Sequence, residues 1–157
     1  MKTLDITCHI EVLNTEELQK EDLSLLKESE KATENSYSPY SQFAVGAALR
    51  LNDGTVFTGA NQENVSYPCG LCAERSALFY AMAQKPKVAV STLAISAKNN
   101  EGFLAHPISP CGLCRQALLE YEKKFGQKIT VYLNGTKGIY KVESIESLLP
   151  IQFDSLE

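Results

Sequence analysis

Two short segments carry residues whose types and spacing could do chemistry: Cys72-Ala73-Glu74 and Pro110-Cys111-Gly112-Leu113-Cys114. Together they offer three thiolates and one carboxylate that need not bind metal. Three soft ligands suit a tetrahedral zinc with one open position, where a bound water becomes acidic enough to act as a nucleophile at neutral pH. A carboxylate beside the metal, but not on it, supplies the proton shuttle that a hydrolytic reaction also needs. Glu74 is the candidate for that shuttle, and Cys72, Cys111 and Cys114 are the candidate metal ligands. Cys111 and Cys114 share one face if they open a helix. Pro110 suits the start of that helix, where a missing N–H costs little. Cys72 also opens a helical run, so both half-sites fall at helix N-termini, whose partial positive charge favours thiolate over thiol.

Three thiolates around Zn²⁺ leave a net charge of about −1. A positive group that donates hydrogen bonds to sulfur would offset it. Arg75, directly after Glu74, is the first candidate for this role, and Arg115, directly after Cys114, is the second. A different metal reading stands beside this one. Cys69-Gly70-Leu71-Cys72 and Cys111-Gly112-Leu113-Cys114 form two C-x-x-C knuckles, the spacing of a closed four-cysteine structural site that does no chemistry. Against it, Pro68 and Gly70 point to a loop at Cys69, and Glu74 has no purpose in a closed site. Five cysteines, an odd number at metal-like spacing, argue against a disulfide framework. His9 and His106 have no metal-ligand spacing.

The elements that must position these residues can be read coarsely. Leu4, Ile6, Cys8, Ile10 and Val12 alternate with mostly polar residues and predict a strand. Asn14 could cap a helix over residues 15–34, with apolar Leu18, Leu23, Leu25 and Leu26. Residues 43–51 and 55–60 predict a hairpin about Asn52-Asp53-Gly54. A helix over residues 71–84, a buried strand over 88–97, a helix over 111–125 stopped at Gly126, a strand over 129–134 and a short helix over 144–149 complete the pattern. Strands alternating with helices after a hairpin predict an α/β fold, a mixed sheet covered by helices.

At 157 residues the chain is expected to be one domain, residues 1–157, long enough for a sizeable core. With 44% hydrophobic and 22% charged residues it reads as a globular protein, and no apolar run is long enough to span a membrane. Residues 1–14 alternate with charge in place of an apolar block, so a secretory leader is not expected; with five unpaired cysteines, a reducing cytoplasmic location is. The net charge of −4, without a dense Lys/Arg cluster, disfavours a nucleic acid polymer as partner.

The chain resembles the small, homo-oligomeric cytidine deaminases of pyrimidine salvage. The likeness runs from Tyr37-Ser38-Pro39-Tyr40-Ser41-Gln42-Phe43-Ala44-Val45-Gly46 through Gly59-Ala60-Asn61-Gln62-Glu63-Asn64 and Cys72-Ala73-Glu74-Arg75-Ser76-Ala77. It continues through Ser109-Pro110-Cys111-Gly112-Leu113-Cys114-Arg115-Gln116 to Leu148-Leu149-Pro150-Ile151-Gln152-Phe153, five motifs in order. His-x-Glu followed by Pro-Cys-x-x-Cys is the general signature of zinc deaminases, and this chain carries its all-cysteine variant, Cys72-Ala73-Glu74. The resemblance implies a single-domain three-layer sandwich with a five-stranded mixed sheet, an N-terminal strand and helix at 1–35 and a catalytic core at 36–153. It implies a homotetramer with one zinc per subunit, acting on cytidine or deoxycytidine. Cys72, Cys111 and Cys114 would hold zinc, Glu74 would shuttle the proton, and Arg75 would contact the thiolates. Phe43 would pack on the base, the Ala73 N–H would meet the base carbonyl, Asn61 and Glu63 would bind the ribose, and Phe153 would reach a neighbouring subunit's site. By residue type alone, Phe43 suits a strand core and Asn61 and Glu63 suit a turn. Gln62 and Val65 depart from the family's usual Ile and Ala, and Cys69 stands where a small non-ligand is usual. Two alternatives remain at this point: a related deaminase of a blasticidin-type nucleoside antibiotic, and a non-catalytic four-cysteine zinc module.

Overall fold

The computed structural model describes residues 1–156. Its organising element is the hairpin of β2 (Ala44–Leu51) and β3 (Val56–Ala60), closed at Asn52-Asp53-Gly54 with Gly54 at φ +83°. Along β2 the side chains alternate between two cores. Ala47, Leu49 and Leu51 enter one, and Ala48 enters the other. β4 (Val90–Asn99) pairs antiparallel with β2 and carries the two-residue β5 (Gly102–Phe103) on its end. β6 (Thr130–Leu133) lies parallel to β4, β7 (Ile139–Val142) returns antiparallel to β6, and β1 (Glu11–Leu13) closes the edge. The spatial order is β1-β7-β6-β4-β2-β3.

Helix α1 (Lys20–Ala32) covers one face through Leu25 and Leu26, which pack with Ala48, Ala94, Tyr132 and Ile139. Helices α2 (Ala73–Gln84) and α3 (Gly112–Phe125) cover the other. There Ala73, Ala77, Leu78 and Ala81 of α2 and Leu118 and Leu119 of α3 meet Leu49, Leu93, Ile95 and Val131. This is the expected three-layer arrangement, with α3 as the crossover between parallel β4 and β6. α3 ends at Gly126, whose φ of +61° is the left-handed cap predicted for it.

The sheet differs from expectation in having seven strands among the described residues, not five. β5 is two residues long and β7 four, too short to show a period. The N-terminal strand predicted over residues 4–12 is confined to Glu11–Leu13, because β7 pairs with it only at Ile139–Lys141. The helix predicted over residues 15–34 is interrupted. A 3₁₀ turn at Thr15–Glu17 is closed by the Asn14 N–H donating to Glu17 at 2.7 Å; Leu18 and Gln19 are then extended, and α1 begins at Lys20. The break lets Leu18 turn in against the α1 side of the core.

Polar bonds on one face of the sheet and a close backbone approach on the other hold its helices in place. Arg50 on β2 donates to Asp22 of α1 at 2.6 Å and to Thr92 at 3.0 Å, while Tyr132 donates to the same carboxylate at 2.8 Å. On the opposite face, Gly59 of β3 lies directly under the first turn of α2. A Cβ at Gly59 would come within 2.5 Å of the Ala77 nitrogen and 2.7 Å of the Ala73 carbonyl oxygen. The missing side chain is what lets the start of α2 rest on the sheet.

Candidate active site

Cys72 occupies the N-cap of α2 and Cys111 the N-cap of α3, and neither side chain caps its helix. Cys114, one turn into α3, is fully buried. The three Sγ atoms converge: Cys72 lies 3.7 Å from Cys111, and Cys111 lies 3.6 Å from Cys114. A tetrahedral zinc with Zn–S bonds of about 2.3 Å spaces its sulfurs by roughly 3.8 Å. The donor set and its spacing therefore fit one zinc ion. Among the described residues these three alone form such a cluster. Cys69 is exposed, at the end of a 3₁₀ turn over Tyr67–Cys69, and contributes nothing to it. The closed four-cysteine reading has no geometric support.

Glu74, the second residue of α2, is buried to 4% exposure. Burial is the main reason its carboxyl is raised above the ordinary range, and negative charge on Cys72 adds to the effect. Within the thiol cluster Cys72 and Cys114 shift in opposite directions. The hydrogen bond to Cys72 and its own burial push Cys114 far up, whereas Cys72 is held down to about 5 by that bond and then by Arg75. Arg75 Nη2 stands 3.8 Å from the Cys72 sulfur, and its Nε is buried without a hydrogen-bond partner. Ala73 is fully buried at the first position of α2, where backbone N–H groups have no partner within the helix.

Beside this centre two segments are zipped together. Tyr37 N–H donates to the Asn61 carbonyl at 3.0 Å, and Glu63 N–H donates to the Tyr37 carbonyl at 2.7 Å. Asn61 Oδ1 accepts from the Ser36 hydroxyl at 2.6 Å and the Val45 N–H at 2.8 Å, and its Nδ2 donates to the Phe43 carbonyl at 2.9 Å. Glu63 Oε2 accepts the N–H groups of Tyr40 at 2.9 Å and Ser41 at 3.2 Å, and Oε1 accepts the Ser41 hydroxyl. Those bonds, the hydroxyl first, hold the Glu63 carboxyl below its ordinary range. Tyr40, Ser41, Glu63, Asn64, Tyr67 and Gly70 line a cavity of about 420 Å³. Phe43 is half-buried at the mouth of β2. Phe153 sits apart, on the C-terminal tail and 68% exposed, with its carbonyl accepting from Gln116 at 2.8 Å.

The family described as the cytidine and deoxycytidylate deaminase zinc-binding region matches residues 19–128, more than half of the chain. The chain belongs to this family. Its relatives include cytidine deaminases of Sporosarcina psychrophila, 42% identical over 82% of this chain and 88% of the relative, and of Halalkalibacterium halodurans, 40% identical over 82% and 91%. Among solved structures, the cytidine deaminase of Burkholderia pseudomallei superposes with a TM-score of 0.71 at 39% identity, covering 83% of this chain and 97% of that one. The Mycobacterium tuberculosis cytidine deaminase gives 0.65 at 32% identity over 84% and 96%.

In this deaminase family member the structure brings Cys72, Cys111, Cys114, Glu74 and Arg75 to one point, joins Asn61 to Phe43, and leaves Phe153 outside. One expectation needs correction. Arg115 does not face the thiols; its guanidinium donates to Ser109, Pro110 and Leu148. The sequence reading also missed Ser36 and Ser41, the hydroxyls that anchor Asn61 and Glu63. Ser38-Pro39 signals a turn there, but a turn alone does not name its partners.

Proposed function

We propose that this chain catalyses the hydrolytic deamination of cytidine and deoxycytidine, converting each with one water to uridine or deoxyuridine and ammonia. The observation that carries the reading is a three-thiol cluster at zinc spacing with a buried carboxyl, Glu74, one residue beyond the first helix N-cap. Cys72, Cys111 and Cys114 would hold one zinc per subunit, which when bound supplies a water acidic enough to serve as nucleophile at neutral pH. Glu74 would move both protons of the attacking water: it would deliver the first to ring nitrogen N3 and the second to the amino group, which leaves as ammonia. Its raised carboxyl pKa suits a group that must both accept and return a proton. Arg75 offsets the charge of the thiolates. The Ala73 N–H, at the start of α2, meets the base carbonyl, and Phe43 packs on the base.

Asn61 and Glu63 bind the ribose within the limits their other bonds set. Asn61 has one amide hydrogen left after its bond to Phe43, so it serves the sugar as a donor. Glu63 accepts three hydrogen bonds within the chain, and its remaining lone pair can take a hydroxyl. An ionised Glu63 also repels a phosphate, which favours a free nucleoside. The assembly is a homotetramer in which Phe153 reaches a neighbour's site; its exposure, with that of Ile151, leaves the tail available for this. The location is cytoplasmic, in keeping with five unpaired cysteines. The deciding assay follows ammonia release from cytidine with Glu74→Gln as control. Turnover should fall by roughly 10²–10⁴-fold with zinc retained. Full activity in the variant would remove Glu74 from the mechanism.

A further inference from the structure

We propose that Arg115 is a positioning residue for the metal-ligating turn, and that its hold depends on the C-terminal segment. Arg115 follows Cys114 directly, yet none of its bonds goes to sulfur. Nε donates to the Pro110 carbonyl at 2.7 Å, Nη2 to the Ser109 hydroxyl at 2.8 Å, and Nη1 to the Leu148 carbonyl at 2.7 Å. The first two bonds fix the residues that lead into Cys111, and the Arg115 backbone N–H closes the same turn on the Cys111 carbonyl at 3.0 Å. The third reaches across to the end of the 3₁₀ turn Ile145–Leu148. A guanidinium can serve three acceptors in fixed directions; an ammonium on a flexible stem cannot.

The far anchor is itself built. Glu122, seven residues further along α3 and so on the same face as Arg115, is a buried carboxylate. It accepts the N–H groups of Ile129 at 2.6 Å, Ile145 at 2.9 Å and Glu146 at 3.3 Å, and the Ser144 hydroxyl at 3.0 Å. Ser144 in turn accepts the Glu146 N–H at 3.1 Å and caps the 3₁₀ turn. The first half of α3 thus holds the ligand turn and the second half holds the segment that Arg115 leans on. The two arginines divide the work: Arg75 acts on the charge of the sulfurs, and Arg115 acts on the path of the backbone that carries two of them.

This rests on the zinc reading above, and the test separates the two. Metal analysis of the wild-type protein reports on the zinc reading alone. Arg115 is then tested by the rate at which zinc-loaded protein releases its metal to a chelating dye at fixed pH. Arg115→Lys should release zinc about 10-fold faster or more, the scale on which residues that orient ligands act. Its kcat for cytidine should fall with KM unchanged within about twofold, since Arg115 does not touch substrate. Ser144→Ala, remote from the thiols, should quicken release in the wild-type background but add little in the Arg115→Lys background, because both act through the Leu148 anchor. Lys123→Ala removes a different tie to the same segment, the ion pair to Glu146, and should leave release unchanged. Release from Arg115→Lys within about twofold of wild type, additive effects of Arg115→Lys and Ser144→Ala, or equal acceleration by Lys123→Ala would overturn the proposal.

Discussion

Gly59→Ala puts the smallest change at the point where the sheet carries α2, the helix of Glu74. The new Cβ would lie 2.5 Å from the Ala77 nitrogen and 2.7 Å from the Ala73 carbonyl oxygen, both backbone atoms that no rotamer change can move aside. Restoring an ordinary contact of 3.4 Å needs the start of α2 to retreat by roughly 0.9 Å. That turn holds Cys72, Ala73, Glu74 and Arg75, so the movement is delivered to one proposed zinc ligand and to the proposed proton shuttle while Cys111 and Cys114 stay on α3. Overpacking of this kind costs about 1–3 kcal/mol of stability. A misplacement near 1 Å can cost about 10²-fold in rate. The assay is a paired urea melt and initial-rate measurement at a temperature where the variant is fully folded. Expected are a lower midpoint and a kcat reduced by one to two orders of magnitude. A folded variant with kcat within about threefold of wild type would refute the claim that Gly59 sets the position of the site.

Other outcomes follow from contacts elsewhere. Asp22→Ala would strip a half-buried Arg50 of its 2.6 Å carboxylate partner, with Nη1 already unpartnered, and should cost about 2–4 kcal/mol in a urea melt; a loss below about 1 kcal/mol would show the pair to be incidental. The Lys85 ammonium, with help from Thr55, lowers the Asp53 carboxyl from 3.8 to about 2. Its contribution is therefore full above the unfolded pKa and is lost as pH falls through the folded one. The melting temperature of the wild type should exceed that of Asp53→Asn near pH 6, and the gap should close between about pH 4 and pH 2; a gap that widens on acidification would contradict the sign. Cys69→Ser should keep both zinc and turnover, as an exposed thiol outside the cluster; zinc loss would restore the four-cysteine site.

What could be read from the sequence was whatever depends on near neighbours. Asn52-Asp53-Gly54 announced the hairpin because the turn needs Gly54 at positive φ, and Gly126 announced the end of α3 for the same reason. The convergence of two half-sites 39 residues apart was legible only because both carry recognisable metal spacing. Long-range partnerships were not legible. The alternation of Leu4 to Val12 is real, but a strand needs a partner, and β7 offers only three residues for pairing. β7 itself, Ile139-Tyr140-Lys141-Val142, is too short to show a period. Asn61 and Glu63 could be marked as polar residues on one face, but not as the groups that hold Val45, Tyr40 and Ser41 in place. Arg115 was read by its nearness to sulfur in sequence, whereas its acceptors include Leu148, 33 residues away.

The placement of Cys72 and Cys111 at two helix N-caps also bears on when the site can exist during folding. The first turn of α2 rests on β3, α3 bridges β4 and β6, and the whole of β4 lies between the two cysteines. Local helix formation can bring Cys111 and Cys114 together, but Cys72 joins them only after both helices have docked on one face of a completed central sheet. Tight capture of the ion therefore reports on finished tertiary structure. A collapsed chain with its helices formed but not yet seated would offer a two-thiol site and hold zinc loosely. The ligand set thus acts as a checkpoint, reserving full metal affinity for chains that have already folded.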